Sequence, residues 1–185
     1  MLKLAKQVAC AVAVSMMFSL SATAQRPTAA AEDTARAMLG PVKWMVGEWT
    51  GPASGTNGGQ SYSVMQHEKV TSAASGTVLL IQGRGSQGDK TVFEAAGFLS
   101  YDMGTHAYKW VSSGGTGYVG ISDAVVRGDT LVWTTPGGGG SRTRYLIWKS
   151  PKGEWREIGE ISRDNVTWTR TFEMTLVTKE GRPQF

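Results

Sequence analysis

WMVGEWTG, residues 44–51, places two tryptophans around a glycine at the point where the character of the chain changes. Upstream, residues 29–39 carry alanines, Met38 and Leu39, with Glu32 and Asp33 early, as in a short helix whose first turn favours acidic groups. Gly40-Pro41 stops that helix, and Pro41, with its fixed φ, opens one further turn through Trp44 and Met45. Gly47 ends this turn because glycine takes positive φ without steric cost.

From Glu48 onward the pattern is β. Runs rich in valine, threonine and aromatics recur at intervals of roughly a dozen residues, each bounded by glycine, asparagine, aspartate or proline. Ten such runs cover residues 48–53, 61–70, 77–84, 91–101, 106–112, 117–121, 130–135, 143–149, 155–162 and 166–177. Residues 124–127 either link the sixth and seventh runs or continue the sixth. Gly88-Asp89, Gly128-Asp129, Lys152-Gly153 and Asp164-Asn165 have the chemistry of tight turns. Consecutive strands with short connections lie side by side, and closing the sheet removes its edges. The expected fold is therefore all-β: a closed antiparallel up-and-down barrel of about ten strands over residues 41–185. An extension and a short N-terminal helix over residues 25–40 precede it.

Residues 1–24 have the pattern of an export signal: Lys3 and Lys6, an uncharged apolar run over 8–20, then Ala22-Thr23-Ala24, with cleavage expected after Ala24. The chain's single cysteine, Cys10, lies within that leader, so the mature protein must rely on an ordinary core rather than disulfides. Loss of the two leader lysines lowers the formal charge of +4 by two units, a balance that does not point to nucleic acid. No later stretch approaches the roughly 20 apolar residues of a membrane helix. A monomer in the periplasm or outside the cell is expected.

A helical turn followed by Gly47-x-Trp49 at the start of the first strand resembles the glycine-x-tryptophan signature of the calycin superfamily, which includes lipocalins and fatty-acid-binding proteins. The strand count is similar to that of nitrobindin-like barrels. GFLSYDMGTHAYKW, residues 97–110, resembles a strand–turn–strand element of uncharacterised secreted bacterial lipocalin-like proteins. The resemblance implies that Trp49 packs at the closed end beneath an arginine of the last strand. In VTWTRTFEM, residues 166–174, Arg170 is the matching position. Simple alternation puts Val166, Trp168, Arg170, Phe172, Met174 and Leu176 on one inward face. Gly47, Trp49 and Arg170 are accordingly expected to close the barrel, Arg170 through a cation–π contact of about 1–2 kcal/mol. Nitrobindin-like relatives hold haem through a histidine near the end of the barrel. Here the only histidines are His67 and His106, the C-terminal strands have none, and no cofactor is expected.

Alternation in the fifth run sets His106, Tyr108 and Trp110 on one face, an amphipathic aromatic group suited to a small-molecule pocket, with Trp168 and Phe172 as further wall residues. Glu68, Glu94, Arg144 and Glu157 also lie in runs, with their facing open, and an enclosed carboxylate is expected to pair with an arginine. No serine stands in a nucleophile elbow, two histidines without a mature cysteine form no zinc pattern, and Pro136-Gly-Gly-Gly-Gly140 lacks the lysine of a phosphate loop. No catalytic residue and no metal ligand is therefore assigned. The leading expectation is an exported lipocalin-like protein that binds a small, largely apolar molecule. The alternatives are a barrel enzyme using His106, Tyr108 and a glutamate in acid–base chemistry, and an envelope protein with a filled barrel.

Overall fold

A computed structural model describes residues 28–115 and 117–179, so the expected leader and residues 25–27 after it lie outside the described residues. Helix α1, Ala29–Met38, begins at Thr28, whose hydroxyl accepts from Ala31 N at 3.3 Å, and carries Glu32 in its first turn and Arg36 in its last. A 3-10 turn, Gly40–Met45, follows with Pro41 at its start, and Gly47 leaves it at a φ of 139°. Ten strands then run β1 Gly47–Asn57, β2 Gln60–Ala73, β3 Val78–Gln87, β4 Lys90–Asp102, β5 Ala107–Gly114, β6 Val119–Arg127, β7 Thr130–Pro136, β8 Arg142–Lys149, β9 Trp155–Ser162 and β10 Thr169–Thr178. Each pairs antiparallel with its neighbours in sequence, and β10 returns to β1 to close the barrel. Residues 124–127 continue β6 rather than linking it. Among the described residues no helix is long and apolar enough to cross a membrane.

Up-and-down connectivity sorts the turns onto two ends. At one end lie α1, the 3-10 turn and the connections at 74–77, 103–106, 128–129 and 150–154; the other carries the hairpins at 58–59 and 88–89 and the longer loops after β5, β7 and β9. The first end is closed. Leu39, Val42 and Met45 insert there and are buried, above an inward layer that includes Leu79, Leu99, Leu131, Ile147 and Leu176. At roughly 1.5–3 kcal/mol for each fully buried aliphatic side chain, this packing outweighs the few hydrogen bonds that orient it. Those bonds still set position: Arg36 Nε donates to Ser75 O at 2.8 Å, and the Tyr108 hydroxyl donates to the Met38 carbonyl.

Trp49 sits at this end as expected, its Nε1 donating to Met45 O at 2.8 Å. Its aromatic neighbours are Trp44 and Trp155, all three pairs meeting edge to face at 5.6–5.9 Å between ring centroids. Arg170 is not among them, which corrects the expected closure. A β-bulge between Arg170 and Phe172 breaks the alternation of β10: Phe172 pairs with inward Gly159, whereas Arg170 pairs with Glu160. The extra residue turns Arg170 to the outer surface near the opposite end, where it is exposed and 3.5 Å from Glu173. Trp155 from β9 occupies the place beside Trp49 instead.

Candidate functional site

The inward faces follow from register. Trp49, Gly51, Ala53 and Gly55 of β1 pair with Glu68, Gln66, Val64 and Tyr62 of β2, so buried Trp49 puts Glu68 and Gln66 inside. On β9, buried Trp155 sets the phase that turns Glu157 and Gly159 inward. Glu157 pairs with Met174 of β10, and β1 contributes only Gly51 and Ala53 between β10 and β2 at this level. Two carboxyl groups from different strands therefore share one interior.

That interior is a cavity of about 710 Å³, reached from the end opposite the helix, where Asn57, Gln60 and Gln87 stand at its rim. One wall is aromatic. Trp110 of β5 stacks on Trp133 of β7 with centroids 5.0 Å apart and planes 10° apart, and Trp133 stacks on Tyr145 of β8 at 4.3 Å and 16°. Phe172 meets Tyr145 edge-on at 6.4 Å. The stack spans β6 because β6 presents only Ser122 and Ala124 inward between Trp110 and Trp133. Across the ring, β3 and β4 present Gly83, Ala95 and Gly97, leaving a slot opposite the aromatic stack. A Cβ at 83 would lie 2.7 Å from Glu68 Oε1, so any side chain there would displace the Glu68 carboxyl.

Electrostatically the lining is one-sided. Among the described residues it includes Glu68 and Glu157 and no lysine, arginine or histidine. Burial pushes Glu157 up to about 8, helped by the neighbouring charge of Glu68, while the nearby Trp155 indole N–H pulls it down without closing a hydrogen bond. Burial likewise raises half-buried Glu68 to about 7, opposed by Gln66 Nε2, which donates to Glu68 Oε1 at 2.7 Å. Tyr145 is raised to about 12 by burial and then by Glu157 and Tyr62. The indole N–H groups of Trp110, Trp133 and Trp155 have no hydrogen-bond partner among the described residues.

The structure brings Trp110 and Phe172 to the cavity wall. Tyr108 is buried, but its hydroxyl serves the plug rather than the cavity. His106 is corrected outright: β5 begins at Ala107, and His106 stands exposed in the preceding turn with φ at 52°. Trp168 precedes β10 and lies under the Arg144 guanidinium, 4.0 Å from its ring centroid, away from the cavity lining. Arg144 and Glu94 were candidates to partner or provide an enclosed acid, yet neither lines the cavity, and Arg144 pairs with Glu160 at 2.7 Å. Enclosed carboxylates without an arginine thus overturn the expectation of a buried ion pair. His67 faces away from the cavity, where burial and then Arg84 and Lys179 lower its pKa. With both histidines elsewhere, the acid–base arrangement centred on His106 is not formed. Among the described residues no group of three or more metal-ligating side chains occurs. Glu68 and Glu157 were legible only by carrying the alternation backwards from Val70 and forwards from Trp155.

No protein-family model matches the sequence, and no curated protein matches it. Solved structures match its shape. Rv2717c from M. tuberculosis superposes with a TM-score of 0.54 at 12% identity, covering 77% of this chain and 97% of that one. The S-type phycobiliprotein lyase CPES from Guillardia theta gives a TM-score of 0.54 at 14% identity, covering 76% and 91%. At these identities the likeness shows the fold alone, and in this chain that fold is the closed ten-stranded antiparallel barrel.

Proposed function

We propose that this protein binds a small, largely apolar, flat molecule inside the barrel, as an exported lipocalin-like binding protein. The observation that carries the reading is the cavity of about 710 Å³ lying against the Trp110–Trp133–Tyr145 stack. Its volume falls in the range of small-molecule sites, and its aromatic wall matches their usual chemistry. A cavity of this size also weighs against the filled-barrel alternative. The export part rests on the leader pattern of residues 1–24 and the secreted lipocalin-like resemblance of residues 97–110.

The test is a fluorescence titration with the neutral apolar dye phenylnaphthylamine, alongside native mass spectrometry of protein purified from its own host. Saturable binding to wild type, lost in Ala95→Phe, which fills the slot, supports the reading. A protein that binds no dye and carries no small molecule from its host contradicts it. Cleavage after Ala24, read from the intact mass, tests export.

A further inference from the structure

From the one-sided lining of the cavity we infer that its ligand is a flat heteroaromatic cation, with its protonated nitrogen at Glu68 and Glu157 and its ring against Trp110, Trp133 and Tyr145. The inference rests on the binding role proposed above and names the class of ligand. Among the described residues no lysine or arginine lines the cavity. Arg144 is engaged with Glu160 outside the cavity lining, and Arg84 and His67 also lie outside it. A buried carboxylate with no counter-ion must either hold a proton or meet a cation from elsewhere. A ligand cation is the one partner that satisfies both acids while filling the slot.

Two further observations favour this class. Buried Trp110 and Trp155 leave their indole N–H groups without partners in the same cavity, so the ligand's edge carries acceptors as well, as a heteroaromatic ring does. An anionic ligand would meet two acids and no base, so the lining also selects against the opposite charge.

The experiment compares three flat dyes of similar size on the full chain: an aminoacridine cation, neutral phenylnaphthylamine and anionic anilinonaphthalene sulfonate. The cation is expected to bind at least about tenfold more tightly than the neutral dye, since one charge-assisted hydrogen bond is worth that much. Glu157→Gln and Glu68→Gln should each lower the ratio of cation to phenylnaphthylamine affinity towards one. Wild type provides a second readout should either variant fail to fold. Because the free acids titrate at about 7 and about 8, cation affinity should rise between pH 6 and pH 9, and calorimetry should show proton release on binding. The other titratable groups of the lining, Tyr62 and Tyr145, are raised above their ordinary value of 10.0 and stay protonated across that window. His67, outside the lining, is lowered from 6.5, and His67→Asn should leave the profile unchanged. Equal or tighter binding of the neutral or anionic dye, or pH-independent cation binding, overturns the inference while leaving the binding role standing. Failure of all three dyes overturns both.

Discussion

Glu157 shows how a single side chain ties stability to pH in this barrel. Its pKa rises from the ordinary 4.5 to about 8 in the folded protein. Between those values the unfolded chain has released the proton and the folded chain has kept it, so stability is highest below the unfolded value and falls as pH rises towards 8. Glu68 acts in the same direction up to about 7. Thermal unfolding should therefore show a melting temperature that declines from pH 5 to pH 8. Glu157→Gln should flatten that slope and stabilise the protein at pH 8 by roughly 4 kcal/mol. A variant less stable than wild type at pH 8 would mean that the carboxylate is paired rather than stranded. Tyr108 makes the contrasting case at the closed end. Tyr108→Phe leaves the Met38 carbonyl without its donor and should cost about 1 kcal/mol in chemical denaturation, with dye affinity unchanged because the residue does not line the cavity.

At the scale of elements, β10 explains why part of the site could be read from sequence and part could not. Phe172, Met174 and Leu176 obey simple alternation and point inward as expected. Arg170 lies beyond the bulge, and no residue in Thr169–Thr178 announces an inserted position, so counting by twos assigns it to the wrong face. The fifth strand failed differently. Tyr108 and Trp110 keep the expected phase, but His106 takes positive φ in a turn, a conformation open to histidine but not signalled by its neighbours. Ten strands, by contrast, were legible because turn chemistry and apolar alternation marked each of them independently. The bulge makes an element-level prediction. Deleting Thr171 removes only the extra residue and keeps Phe172 inward and Arg170 outward, so the barrel should still fold. Deleting Thr175 instead throws Met174 outward and Glu173 inward, and circular dichroism should report loss of the native sheet. Equal tolerance of both deletions would show that the assigned bulge does not set the register.

For the whole molecule, the division of labour runs along the barrel axis. The closed end spends Trp44, Trp49 and Trp155 on packing around the 3-10 turn, which is where the opening tryptophan pair acts, while the middle of the barrel keeps its aromatics for the cavity wall. The sequence leaves the facing of the two enclosed acids open because it depends on which neighbour is buried, and burial is a property of the closed sheet rather than of either strand. Heteronuclear NMR of the seven indole N–H groups during titration with the aminoacridine cation tests this arrangement most directly. The account predicts saturable shifts at Trp110, Trp133 and Trp155, assigned by single Trp→Phe variants, and little change at Trp168, which lies outside the cavity lining beside Arg144. Shifts confined to Trp168, or none at the cavity tryptophans at saturating dye, would contradict it.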